Sequence, residues 1–211
     1  MSRRGRFITL EGGEGAGKST LLAGLRGHLE SRGVDLLLTR EPGGTALGEA
    51  VRAIVLDPAR HDLCAESELL LMFASRAQLV RETIEPALAA GRWVLCDRYV
   101  DASYAYQGGG RGQPAARIAA IEQWACAGLV SDLTLLLDLP VSTGRARAAG
   151  RGAADRIEVE ADGFFERVRA AYRARAAAEP QRFRVIDASQ PAEAVLRDAV
   201  AATAHLFGAD A

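Results

Sequence analysis

Phe7-Ile8-Thr9-Leu10, then Glu11, then Gly12-Gly13-Glu14-Gly15-Ala16-Gly17-Lys18-Ser19 is the stretch that decides the fold of this chain. Its second part has the spacing G-x-x-x-x-G-K-[ST]; its first is a short apolar run of strand character. The glycines open backbone conformations closed to other residues, so consecutive N–H groups can turn inward around anionic oxygens. Leu21, Leu22, Leu25 and Leu29 recur at helical spacing behind the loop. They place the positive end of a helix under a bound phosphate. Strand, glycine loop and helix together are the context that separates a phosphate-gripping loop from a glycine-rich turn. Gly12 to Thr20 is therefore expected to wrap nucleotide phosphates. Within it Lys18 reaches the β- and γ-phosphates, and the Ser19 hydroxyl joins a Mg²⁺ shell.

With 211 residues, 49% of them hydrophobic, the chain can bury one sizeable core, and one domain is expected. A formal net charge of −1 gives no bulk attraction to nucleic acid or an anionic membrane. No apolar run approaches membrane-spanning length, and the apolar stretch after Arg3, Arg4 and Arg6 is interrupted by Glu11. Cys64, Cys96 and Cys126 stand apart without metal-ligand spacing, as reduced core thiols of a cytoplasmic protein would.

Further along, Val34 to Thr39 reads as a buried strand, ending in Arg40-Glu41-Pro42-Gly43-Gly44-Thr45. An Arg-Glu pair at the carboxyl end of a parallel strand lies where open α/β sheets bind ligands; an ordinary surface turn is the plain alternative. Ala46 to Leu56 is helical. From Glu66 to Ala90 the apolar spacing is helical again, with Pro86 kinking or restarting it. Phe73 and Arg76 share one face of that helix, and an arginine among core-facing residues needs an anionic or acceptor partner.

Trp93 to Cys96 is a third strand closing in Asp97-Arg98-Tyr99. At that edge Asp97 could hold Mg²⁺ through water and Arg98 could clamp a second phosphate, unless the two merely form a strand-end salt bridge. Ser103 to Gly112 is polar-aromatic and then glycine-rich, a composition that suits a pocket wall better than a packed element. Pro114 to Ala127 reads as a helix and Leu133 to Leu139 as a fourth strand. Arg145, Arg147, Arg151 and Arg156, with Gly150 and Gly152, give either a mobile basic flap over about 145–158 or an exposed linker between helices. Phe164 to Ala178 is a helix, Phe183 to Asp187 a fifth strand, and Ala192 to Phe207 a closing helix. Strands alternating with helices in this way argue for a parallel sheet covered on both faces, with ligands along its carboxyl edge.

The phosphate loop, Arg40-Glu41-Pro42-Gly43-Gly44-Thr45, Phe73 with Arg76, Asp97-Arg98-Tyr99, Tyr106-Gln107-Gly108-Gly109-Gly110-Arg111-Gly112 and Asp155-Arg156-Ile157-Glu158, in this order, resemble the bacterial thymidylate kinase family. The resemblance covers nearly the whole chain. It implies the α/β fold of P-loop nucleoside monophosphate kinases, with a five-stranded parallel sheet of order 2-3-1-4-5. It further implies a homodimer packed through helices, and transfer of the ATP γ-phosphoryl group to dTMP with Mg²⁺. The phosphate loop here carries no arginine while the lid is arginine-rich, so the chain resembles members with the catalytic arginine in the lid. Arg147, Arg151 and Arg156 remain the candidates. By the same resemblance Glu14 lies near the sugar 3′-hydroxyl and the metal, Ser103 and Gln107 near the base, and Tyr106 against the sugar.

The acceptor in such a reaction is a phosphate monoester with a second pKa of about 6, already mostly a dianion at neutral pH, so no general base is needed. His28, His61 and His205 accordingly sit beside no motif. The task is to bring two anions into line and neutralise spreading charge, for which Lys18, Mg²⁺, Arg98 and a lid arginine are the cations. Arg76, a donor-only group, would pair with the 4-carbonyl of thymine and leave the amino group of cytosine unpaired, while Phe73 stacks on the ring. A GTPase switch would need Asn-Lys-x-Asp and Asp-x-x-Gly, and neither occurs.

Overall fold

The computed structural model describes residues 4–149 and 154–207. Its centre is β1 (Phe7–Gly12), buried along its whole length and hydrogen-bonded in parallel to β3 (Trp93–Asp97) and β4 (Leu133–Asp138). With β2 (Leu36–Arg40) beside β3 and β5 (Phe183–Asp187) beside β4, the sheet runs β2-β3-β1-β4-β5, parallel throughout. That is the order the resemblance implied. Side chains of β1 alternate between the two faces, as a strand's two-residue period requires. Ile8 and Leu10 join Leu25, Leu29, Leu135 and Ala199 in one core under α1 (Lys18–Ser31) and α9 (Ala192–Thr203). Phe7 joins the core on the opposite face, with Leu69, Phe73, Val94 and Ile118 of α3 (Ala65–Leu79), β3 and α6 (Ala115–Cys126).

Between these, α2 (Ala46–Leu56) is capped by Thr45, whose hydroxyl accepts from the Gly48 N–H at 3.0 Å. The expected kink near Pro86 is present. α3 passes through a π-helical turn, Val80–Ile84, into α4 (Glu85–Ala89), with Pro86 in the first turn of α4. Proline has no N–H, and its ring crowds the carbonyl four residues back, so the turn before it widens.

Three expectations need correction. Residues Ser103 to Gly112 are not merely a wall segment. α5 (Val100–Ser103) continues into a π-helical stretch, Tyr104–Gly110, that packs tightly against α8 (Asp162–Ala178). The glycines permit that approach, since a Cβ on Gly109 would stand 2.8 Å from the Arg167 carbonyl oxygen. Second, the stretch does not begin as a linker: Val141–Ala148 is a helix, α7, with Arg145 and Arg147 in its last turn. Pro140 pre-sets its entry, a signal hidden by the polar composition that follows. Third, Cys96 and Cys126 are buried, but Cys64 is exposed at the start of α3.

A buried ionic cluster ties the elements together away from the sheet's carboxyl edge. Asp101 of α5, 1% exposed, accepts from Arg182 at 2.7 and 2.9 Å and from Arg175 of α8 at 2.9 Å. Arg182 also donates to the Thr134 hydroxyl at 2.8 Å, and Thr134 shares a 2.8 Å hydroxyl contact with Thr9 of β1. No side-chain polar atom of Asp101, Arg175, Arg182, Thr134 or Thr9 is buried without a partner.

Candidate active site

The carboxyl ends of β2 and β3 and the phosphate loop that follows β1 line a cavity of about 290 Å³. Glu14 to Ser19, Arg40, Glu41, Asp97, Arg98, Tyr106 and Gln107 line it, as the sequence reading expected of most of them. Arg52 also lines it, a residue that reading missed, along with an apolar flank of Val55, Leu56, Met72, Ala102 and Ile157. A second opening, of about 380 Å³, uses the other side of the same loop. Gly15, Ala16, Gly17 and Thr20 meet Arg147, Gln190 and Pro191 there. Gly15, Ala16 and Gly17 of the phosphate loop are thus common to both cavities.

The loop is held from below by backbone contact with α7. Gly15 has φ +70°, and a Cβ added there would lie 1.9 Å from the Gly144 carbonyl oxygen. Reciprocally, a Cβ on Gly144 would lie 2.4 Å from the Glu14 carbonyl oxygen. Only a glycine pair fits.

Lys18 folds back on the loop, its Nζ donating to the Gly12 and Gly13 carbonyls at 3.2 and 3.0 Å. Burial lowers its pKa, and the nearby Arg98 charge lowers it further, while Glu14 and Asp97 pull the other way. A bound phosphate would relieve that strain on the ammonium. Arg98 leaves β3 with φ 70°, a left-handed conformation that costs a non-glycine residue about 1–2 kcal/mol. The turn aims its guanidinium across the sheet edge. Nη1 donates to the Gly12 carbonyl at 2.9 Å and to the Tyr172 hydroxyl at 3.1 Å, and Nη2 to Glu14 Oε1 at 2.7 Å. The guanidinium also lies 4.8 Å from the centre of the Tyr106 ring. Tyr106 donates its hydroxyl to Glu14 Oε1 at 2.8 Å. Behind Arg98 stands Glu11, fully buried, accepting from the Tyr172 hydroxyl at 2.6 Å and the Tyr99 N–H at 2.7 Å. Burial, reinforced by Asp101, pushes the Glu11 carboxyl up to about 8 against the pull of Arg98 and these hydrogen bonds.

Two cavity carboxylates keep a buried oxygen without a partner among the described residues: Glu41 Oε1 and Asp97 Oδ1. Gln107 Oε1 is likewise unpartnered. Such atoms are costly unless something binds them.

Phe73, Arg76 and Ser103 are not on the cavity surface; they stand one layer behind it. Arg76, fully buried, donates to Glu41 Oε2 at 2.6 Å, to the Ser103 hydroxyl at 3.0 Å and to the Tyr99 carbonyl at 3.1 Å. Its guanidinium lies 4.5 Å from the centre of the Phe73 ring. Burial works against the Arg76 charge, but Glu41 outweighs it and holds the pKa above the ordinary value. Arg40 is exposed and paired with Glu49 at 3.0 Å. Arg156 lies apart from the phosphate loop: its Nε donates to the Val55 carbonyl at 2.8 Å and its Nη2 to Glu68 Oε2 at 2.5 Å. Arg147 donates to the Ala188 carbonyl at 2.8 Å on the second opening. Arg151 lies outside the described residues.

Sequence reasoning missed Glu11, Arg52, Glu68, Gly144 and Tyr172. For Glu68 a signal existed, because it stands eight residues before Arg76 on the same buried face of α3. For Glu11 and Tyr172, 161 residues apart, no local pattern could have announced the pair.

The thymidylate kinase family model matches residues 10–199. A thymidylate kinase of Alkalilimnicola ehrlichii is 58% identical over 92% of this chain and 89% of its own length. One from Pseudomonas putida is 57% identical over 92% of both chains, and one from Alcanivorax borkumensis 54% over 90% and 92%. With a glycine-rich phosphate loop bordering two cavities, and identity of this degree over nearly its whole length, the chain belongs to the thymidylate kinase family.

Proposed function

We propose that this chain transfers the γ-phosphoryl group of ATP to dTMP, giving dTDP and ADP. The observation that carries the reading is the shared lining: Gly15, Ala16 and Gly17 border both cavities, so two phosphorylated ligands can bring their phosphates together at one loop. The donor's base and sugar belong on the Thr20, Arg147, Gln190 side. The monophosphate belongs in the cavity with Arg98, Arg40 and Arg52, where its dianion replaces lost hydration. Its own oxygen is the nucleophile, and no side chain need take a proton.

Lys18 and Arg98 then do the electrostatic work. Lys18 leaves the loop carbonyls for the β- and γ-phosphates, and Arg98, already bent over the loop by its left-handed backbone, grips the acceptor phosphate. Ser19 and Asp97 line the same cavity, and Asp97 Oδ1 is buried without a partner. These hard oxygens suit Mg²⁺, which Ser19 and Asp97 would hold directly or through water. Bound there, the ion would neutralise phosphate charge. Of the lid candidates over about 145–158, Arg147 already stands at the donor opening, while Arg156 must leave Glu68 to reach either phosphate. Gln107 on the apolar flank faces the base, and Arg76 holds Glu41 and Ser103 in place one layer behind it. Tyr106 and Glu14 stand together at the sugar.

The chain works as one domain with that lid, in the cytoplasm, and as a homodimer. Support for the dimer is the exposed apolar surface where α3 packs on α6, with Leu70 57% and Trp124 84% exposed. An ADP-release assay with dTMP, dUMP, dCMP and dGMP tests the reaction. Turnover is expected with dTMP and dUMP and little with the others. No ADP from folded protein given ATP, dTMP and Mg²⁺ would overturn it.

A further inference from the structure

Glu68 is fully buried on α3, and no part of the mechanism above uses it. Its Oε1 accepts from Gln107 Nε2 at 2.8 Å and its Oε2 from Arg156 Nη2 at 2.5 Å, while Arg111 Nε bridges the two, nearer Oε2 at 3.2 Å than Oε1 at 3.5 Å. A carboxylate between two guanidinium groups accepts hydrogen bonds and donates none. The Gln107 amide must therefore turn its NH₂ toward Glu68. Its Oε1 is left at the opposite end, buried and unpartnered, on a residue that lines the acceptor cavity beside Tyr106 and Ala102. A buried acceptor of this kind favours a ligand that offers a donor and disfavours one that offers a second acceptor.

Resting on the dTMP reading, we infer that Glu68 is a positioning residue for base selection: by capturing the Gln107 NH₂ it fixes Gln107 Oε1 as an acceptor for the ring N3–H of thymine or uracil. Cytosine presents a bare acceptor nitrogen at that ring position, so the fixed orientation repels it. Selection at the 3-position then rests on an acceptor held in one orientation.

The inference makes an unusual prediction for Glu68→Gln. Arg111 and Arg156 crowd the Oε2 side and will claim the single remaining oxygen. The new NH₂ then takes the place of Oε1 and faces Gln107, which must turn its own oxygen back and present NH₂ to the cavity. The ratio of kcat/KM for dTMP to that for dCMP should fall by roughly ten- to a hundredfold, the effect of reversing one buried hydrogen bond. Arg111→Gln removes a cation but leaves the carboxylate facing Gln107, and its ratio should stay at the wild-type value even if the protein melts earlier. A lost contact that only loosened the fold would lower both activities together. An unchanged ratio in active Glu68→Gln protein would overturn the inference. Should Glu68→Gln fail to fold, the wild-type enzyme decides with 3-methyl-dTMP, which lacks the N3–H: rejection by a similar factor supports the inference, and acceptance on a par with dTMP overturns it. Absence of dTMP turnover by the wild type is a different result, since it removes the activity on which the inference rests.

Discussion

Two buried clusters of charge lie within a few residues of each other in sequence and behave in opposite ways. Asp101, with Arg175, Arg182, Thr134 and Thr9, is satisfied throughout: every buried side-chain polar atom has its partner. The cluster at the phosphate loop, three residues earlier at Arg98, is not. Among the described residues Lys18 bonds to carbonyls of its own loop, Asp97, Glu41 and Gln107 each keep an unpartnered buried oxygen, and Arg98 holds a left-handed backbone. A closed network stabilises a fold; unspent hydrogen-bonding capacity beside a cavity is retained where a ligand will use it. The difference separates the scaffold from the working site without appeal to residue type, since both clusters are built from arginine and carboxylate.

Substitutions in the two clusters should therefore fail differently. The largest effect is expected for Arg98→Ala, with kcat/KM for dTMP down about 10³-fold, the usual worth of a phosphoryl-stabilising arginine, and a melting temperature close to wild type. Activity within tenfold of wild type would move Arg98 into the scaffold class. Asp101→Asn should do the reverse. Leaving two arginines facing a neutral group in the interior costs about 3 kcal/mol in denaturant unfolding, while the folded fraction keeps near-normal kcat/KM.

Glu11 spans both clusters, and its effect is one of pH. Its folded pKa, about 8, is raised above the ordinary carboxylate value of 4.5 mainly by burial. The native state therefore binds the proton more tightly than the unfolded chain. Stability from this group is fully present below the unfolded value and falls as pH rises from there through the folded value. Between about pH 5.5 and 7 the wild type should lose roughly 2 kcal/mol relative to Glu11→Gln in urea titrations. Parallel pH profiles would show that Glu11 stays ionised in the fold. The smallest change is expected from Gly144→Ala, at the seat of the phosphate loop. Its Cβ, 2.4 Å from the Glu14 carbonyl, must push the phosphate loop and weaken ATP binding about tenfold, measurable by calorimetry.

What the sequence revealed of this arrangement follows from how local each signal is. The phosphate loop, the strands at 93 and 183 and the Pro86 restart are encoded within a few residues, by period and by backbone chemistry, and were legible. Asp97 and Arg98 could be placed at the sheet's edge because parallel strands end on one side. α7 was hidden by a basic, glycine-containing composition, and with it the Gly15–Gly144 contact that seats the loop. The layering of Arg76 behind Glu41, and the Glu11–Tyr172–Arg98 chain, depend on pairings across the fold that no window of sequence contains.

The central claim is that the unsatisfied cluster joins two nucleotides at the phosphate loop. Phosphorus NMR of folded protein with ATP, dTMP and Mg²⁺ tests it most directly. ADP and dTDP should grow in equal amounts with no inorganic phosphate, and Arg98→Ala should slow both about 10³-fold; release of inorganic phosphate without dTDP would contradict the account.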